Sequence, residues 1–244
     1  MTMEYTSVIF KIGGKILENF EDLNSTISQL TKIFKNGQIQ KIILIPGGGS
    51  LANFIRKVYS ELKFTEELGH WMGVISMNYN GIELGKKFPD LNTIEDINRL
   101  RKLDKNICIF LPYRFLKESD NLPHSWDVTS DSITLFLAKE LEIPHCVLIK
   151  DIDGIVNKEN HVMKELTTSE YKKMKKSGKL REFENSEGEV KNQSRPVDSY
   201  LLNLIEKWKI SCVILNGKSN NQRILDYFDK SKSNSEKIFS IIKY

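Results

Sequence analysis

Short runs of apolar residues, each closed by a turn and followed by a helix-spaced stretch, limit what this chain can fold into. Val8–Ile12 ends at Gly13-Gly14, Ile42–Ile45 at Pro46-Gly47-Gly48-Gly49, and Cys146–Ile149 just before Asp151-Ile152-Asp153-Gly154. Leu23, Ile27, Leu30 and Phe34 recur at helical spacing after the first run, and Leu51, Phe54/Ile55, Val58 and Leu62 after the second. Strands apolar on both faces, alternating with helices, build a parallel sheet covered on both sides. The predicted fold is α/β, a three-layer αβα sandwich with a mainly parallel central sheet. In such sheets ligands bind beyond the carboxyl ends of the strands, so the chemistry belongs at the strand-to-helix turns.

The remaining elements follow the same logic. A helix carries the stripe Leu68, Met72, Ile75, Tyr79 and Ile82, flanked by further apolar residues at Trp71, Val74 and Met77. Asn106–Leu111 and Cys212–Leu215 read as strands, while Ser130–Leu141, Val197–Trp208 and Arg223–Phe228 read as helices. Lys237–Ile242 is placed to close the sheet. These elements form a single domain, 1–244, with halves of about 1–140 and 141–244. Between 157 and 193 aliphatic residues thin out and Lys and Glu crowd together, with a capping-box match at Thr167–Glu170. That segment is either a solvated surface insertion or a lid whose lysines approach a polyanion.

Composition excludes several classes. The 36 Lys+Arg against 32 Asp+Glu leave +4, far from a dedicated nucleic-acid binder. The longest run without a formal charge, Leu68–Ile82, falls short of the roughly 20 residues needed to cross a bilayer. No basic stretch leads into an apolar run at the N-terminus, so the expected location is cytoplasmic. Cys108, Cys146 and Cys212 each sit inside an apolar run and read as small core residues.

Three turns are candidates to carry chemistry. In Lys11-Ile12-Gly13-Gly14-Lys15 the glycines let backbone N–H groups approach a phosphate, and Lys11 stands ready to neutralise charge on a transferred phosphoryl group. A plain strand-ending turn with a surface lysine fits the same residues. Gly47-Gly48-Gly49 is a second anion-site candidate, and a tight packing turn is its alternative. Neither loop is GxGxxG or GxxxxGK[ST], which removes the dinucleotide fingerprint and the P-loop. The third turn, Ser125–Ser132, holds more hydroxyls and carboxylates than one helix cap requires, with capping plus ordinary loop polarity as its alternative. Lys150-Asp151-Ile152-Asp153-Gly154 adds an acidic turn beyond another strand, which by itself is equally a generic Asp-Gly turn.

Taken in this order, the motifs resemble the amino acid kinase superfamily. A narrower likeness, to its archaeal aspartokinase-like branch, rests on Pro46–Arg56, Gly69–Met72, His124–Trp126 with Thr129–Ser132, and Val213–Gly217. The superfamily implies ATP-dependent, in-line phosphoryl transfer without a phosphoenzyme, with the acceptor in the N-terminal half and ATP in the C-terminal half. Mg²⁺ is carried by ATP, and no dedicated metal site is expected. The branch implies an anionic acceptor, a phosphate monoester such as an aminomethylfuran-methyl phosphate, converted to a diphosphate. Isopentenyl phosphate or a carboxylate such as aspartate or glutamate is the alternative acceptor. From another class, a non-catalytic nucleotide- or oxyanion-binding protein on the same fold is the rival.

The resemblance also implies roles for residues. Lys11 matches the phosphoryl-stabilising lysine and Asp131 the carboxylate that orients the catalytic lysines. Gly13, Gly14, Gly47, Gly48 and Gly49 match the phosphate loops, with Lys15 adding a charge beside the first. Asp151, Asp153 and Gly154 match the nucleotide turn, where Lys150 stands in place of a common Thr. Ser50, His70, His124, Ser125, Thr129 and Ser130 are the acceptor-side candidates, and either histidine is equally consistent with a structural role. The second catalytic lysine of acetylglutamate-type members has no matching motif; Lys191 or Arg195 are the substitutes considered. Relatives pair through the helix corresponding to 68–82, which implies a homodimer. No nucleic-acid or membrane partner is expected.

Overall fold

A computed structural model describes residues 5–119, 121–181 and 196–244. Strand β1 (Tyr5–Ile12) is followed by helices α1 (Gly14–Glu18) and α2 (Phe20–Lys35). Strand β2 (Ile39–Pro46) leads into α3 (Gly49–Leu62) and α4 (Glu66–Lys87). Next come β3 (Asn92–Ile94), α5 (Ile97–Arg101), β4 (Asn106–Phe110), α6 (Tyr113–Ser119) and α7 (Ser130–Glu140). The second half contains β5 (Cys146–Lys150), β6 (Ile155–Val156), β7 (Val162–Met163), β8 (Glu165–Thr167) and α8 (Thr168–Lys176). It continues with α9 (Leu201–Trp208), β9 (Cys212–Asn216), α10 (Arg223–Phe228) and β10 (Ser240–Lys243).

Eight strands form one sheet in the order β3-β4-β2-β1-β5-β9-β10-β8, with β6 and β7 in a separate two-stranded ribbon. Every neighbouring pair in the large sheet is parallel except β9 and β10. Because side chains alternate along a strand, the core divides between two faces. Ile9, Ile43, Cys146, Leu148 and Ile214 pack with residues of α4, α7 and α9. Val8, Phe10, Ile42, Val147 and Leu215 pack with α2 and α10. All three cysteines are buried and unpaired by disulfides, as their apolar settings predict. This is the αβα sandwich expected from the strand pattern. Among the described residues, no helix is long and apolar enough to cross a membrane.

The structure departs from the sequence expectations in two places. The expected insertion contributes β8, an edge strand paired with β10, and α8, whose capping box at Thr167 and Glu170 is formed. Leu166 and Tyr171 anchor these elements in the core, so β8 and α8 are part of the packed fold. The 237–242 segment becomes β10 inside the sheet, with β8 rather than β10 at the edge. On α4, whose apolar residues lie on more than one side, the structure decides which side meets the core. Trp71, Val74 and Met77 are buried, while Leu68, Ile75, Tyr79 and Ile82 are exposed.

Candidate active site

Strand alternation also builds the centre of the site. Lys11 lies on β1 on the same face as Ile9, and Lys150 on β5 on the same face as Cys146 and Leu148. Both side chains therefore rise toward α7, whose first turn carries Asp131. Lys11 Nζ is 3.0 Å from Asp131 Oδ1, and Lys150 Nζ is 2.7 Å from Oδ2. All three side chains are largely withdrawn from water, at 8%, 4% and 11% exposure for Lys11, Asp131 and Lys150. Burial works to raise the Asp131 carboxyl, but the two ammonium groups overcome it and hold it at about 2. Burial pushes Lys150 below its ordinary value of 10.5; Asp131 resists that shift and Lys11 adds to it.

A second carboxylate fixes the helix that presents Asp131. Asp198 Oδ2 accepts from Thr129 N–H at 3.0 Å, Thr129 Oγ1 at 2.7 Å and Ser132 N–H at 3.0 Å. Its Oδ1 accepts from Ser132 Oγ at 2.6 Å and Leu201 N–H at 2.8 Å, so one side chain ties the starts of α7 and α9 together. Burial and the nearby Asp131 push Asp198 upward, while these donors oppose them. Spacing alone placed Asp198 inside a helix beginning at 197. Its signal was an acidic side chain just ahead of an apolar helical run, the pattern of a cap.

The glycine loops pack against one another. A Cβ on Gly14 would lie 2.6 Å from the Gly49 Cα, so this approach admits no side chain at Gly14, and Gly49 itself has φ +58°, where glycine is favoured. Gly13 and Gly47 donate their N–H groups to Ile149 O and Ile12 O at 2.8 and 2.9 Å. They extend the strand ladder, which corrects the expectation that every loop amide faces a phosphate. Gly14, Gly48 and Gly49 instead open α1 and α3, where N–H groups have no intrahelical acceptor.

Two clefts meet here. One, of about 640 Å³, is lined by Lys11, Gly13, Gly14, Lys15, Gly48, Gly49, His70, Thr129, Ser130, Asp131, Lys150 and Asp151, and also by Asn53, Arg56, Trp126 and Asp127. The other, of about 570 Å³, is lined by Asp151, Asp153, Arg181, Asn216, Lys218 and Arg223, among others. Lys15 and Asp151 line both and form an ion pair at 3.2 Å. Asp153 accepts from Asn216 Nδ2 at 3.1 Å and Arg223 Nε at 3.3 Å. Gly154 is set back from both clefts, with φ +137° against Ser240.

Several acceptor-side candidates lie elsewhere. Ser50 donates its N–H to Glu18 and is exposed outside the first cleft, and Ser125 also lies outside it. His124 stacks on His70, with ring centroids 5.1 Å apart, but only His70 lines the cleft. Lys191 and Arg195 fall outside the described residues. The lysine facing Lys11 across Asp131 is Lys150.

The sequence model of the Amino acid kinase family matches residues 6–216. The chain belongs to the amino acid kinase family. As a member it is an ATP-dependent phosphotransferase. It is 28% identical over 240 residues to the [5-(aminomethyl)furan-3-yl]methyl phosphate kinase of Methanocaldococcus jannaschii, covering 96% of this chain and 99% of that protein. Solved structures of the same fold include the UMP kinase of Ureaplasma parvum, at TM-score 0.69 and 19% identity, covering 99% of this chain and all of that one. Another is the uridylate kinase of Archaeoglobus fulgidus, at TM-score 0.64 and 16% identity, covering 97% of this chain and 99% of that one.

Proposed function

We propose that this kinase transfers the γ-phosphoryl group of ATP to a phosphate monoester of the [5-(aminomethyl)furan-3-yl]methyl phosphate type, forming a diphosphate. The observation that carries this reading is the Lys11–Asp131–Lys150 cluster on the wall of a cleft large enough for a small anionic acceptor. The full-length similarity to the M. jannaschii enzyme supports the choice of acceptor.

Mg²⁺·ATP supplies the transferable group, and the second cleft, with Arg181, Lys218 and Arg223, has the cationic lining a nucleoside triphosphate requires. Lys11 and Lys150 concentrate positive charge where negative charge spreads during transfer, and Asp131 holds both in place. The Gly14, Gly48 and Gly49 amides add backbone donors. Lys15 bridges the two clefts and is offered to the phosphates by partner exchange with Asp151. His70, Thr129 and Ser130 bind the acceptor. An acceptor that is already an anion needs no strong general base. The N-terminal half thus holds the acceptor and the C-terminal half the nucleotide.

The same reading includes a homodimer. Leu68, Ile75, Tyr79 and Ile82 recur every three, four or seven residues on one side of α4, and Phe54 and Leu62 of the adjoining α3 are also exposed. A second copy of this surface is the occupant that would cover it.

The test is ADP release with Mg²⁺·ATP across the furan phosphate, isopentenyl phosphate, UMP, aspartate, glutamate and acetylglutamate. Turnover confined to the furan phosphate is the expected result. Turnover on a different acceptor replaces the substrate, and ATP binding without turnover on any of them replaces the enzyme with a nucleotide-binding protein.

A further inference from the structure

The first cleft contains one carboxylate that its surroundings do not explain. Asp131 is committed to Lys11 and Lys150, Asp151 to Lys15, and Asp198 to the N–H and hydroxyl groups that begin α7 and α9. Asp127 also lines the cleft, and its carboxylate is exposed. It accepts from Ser199 Oγ at 2.8 Å and has no cationic partner among the described residues. An ionised carboxylate has room for about four hydrogen bonds, so most of its accepting capacity is left open at the cleft's edge.

Its position is fixed by its neighbour. The Trp126 ring lies under the Arg56 guanidinium, 4.7 Å from the ring centroid, and meets Tyr59 edge-on at 5.9 Å. On the α4 side a Cβ at Gly69 would come within 3.0 Å of the indole nitrogen, so Gly69 provides the space in which Trp126 rests. The residue that follows is therefore held on the wall of the cleft. Although Lys11, Lys15, Arg56 and Lys150 line the same cleft, a carboxylate without an ion-pair partner there favours an acceptor that carries a positive charge beside its phosphate.

We infer that Asp127 is a specificity residue that binds a cationic amine on the acceptor, so that the preferred substrate is zwitterionic: a phosphate monoester at one end and an ammonium group at the other. This rests on the phosphate-monoester reading above and sharpens it. Uncharged-tail monoesters such as isopentenyl phosphate lack the group that Asp127 would bind. The compound named for the M. jannaschii relative carries both an aminomethyl group and a phosphate.

The test compares two acceptors on the wild type and Asp127→Asn: the aminomethylfuran phosphate and its analogue with hydroxymethyl in place of aminomethyl. Asparagine keeps an oxygen to accept from Ser199, so the change removes charge and little else. The wild type is expected to favour the amine, mainly through a lower KM. Asp127→Asn is expected to reduce that amine-over-alcohol ratio in kcat/KM by about 10- to 100-fold, the scale of a charge-assisted hydrogen bond, without moving the KM for ATP. A purely structural role would lower turnover on both acceptors alike and leave their ratio unchanged, which would overturn the inference. Equal wild-type turnover on the two acceptors would also overturn it, while leaving the kinase reading intact. No turnover on any phosphate monoester would overturn both.

Discussion

Lys150 Nζ lies 2.7 Å from one oxygen of Asp131 while Lys11 Nζ lies 3.0 Å from the other, so a single buried carboxylate holds two ammonium groups side by side. Two like charges this close repel one another, and the carboxylate between them makes the arrangement tolerable. An incoming phosphate would find two cations already assembled, with little reorganisation left for the transition state.

Lys11→Ala and Lys150→Ala are each expected to lower kcat by about 100- to 1000-fold, the usual cost of losing an electrostatic donor of this kind. Steady-state ADP release checks this. A variant retaining more than about a tenth of wild-type turnover would remove that lysine from the mechanism.

Asp131→Asn leaves two buried ammonium groups without their counter-charge. It is expected to abolish turnover and destabilise the fold by about 3–5 kcal/mol in urea unfolding. Added inorganic pyrophosphate should recover part of that loss by occupying the cations. An unchanged urea midpoint would show that the carboxylate does not hold the cluster together.

The cluster also sets the pH response. Asp131 is held at about 2 in the fold against an ordinary 3.8, so its stabilisation is complete above pH about 4 and fades as the pH falls toward 2. Thermal melts of Asp131→Asn should lack that acid step. At the other end, burial lowers Lys150, so the alkaline limb of kcat should fall below pH 10.5. Lys150→Arg should move the limb upward if the variant remains active, because a guanidinium does not titrate there. Superimposable alkaline limbs for the two proteins would assign that ionisation to another group.

Exposed Ile75 and Tyr79 lie one helical turn apart on α4. Light scattering at micromolar concentration should give a dimer for the wild type and a monomer for Ile75→Asp/Tyr79→Asp. A monomeric wild type would leave this surface without its proposed partner.

Strand positions, the glycine turns and the placement of Asp131 were legible in the sequence because each depends on local pattern: apolar runs, residues without Cβ, and an acid in a first turn. Lys150 was visible as a residue, but not as the partner of Lys11. That pairing depends on β1 and β5 being neighbours, which the chain order does not reveal. The buried side of α4 was not legible for a related reason. Its apolar residues cover most of the helix circumference, so periodicity could not choose between core and surface. Asp198 escaped notice because its partners, Thr129 and Ser132, are brought to it only by tertiary packing.

Lys11 and Lys150 come from strands that touch in the sheet yet stand more than half the chain apart in sequence. Their meeting requires a long loop to close, an entropy cost that local helices and turns do not carry. A partly folded chain can therefore contain native helices and correct hairpin or turn geometry and still have no catalytic centre. During refolding, the return of phosphotransfer would report the moment when β1 and β5 zip together, a far more selective clock than the return of helical signal.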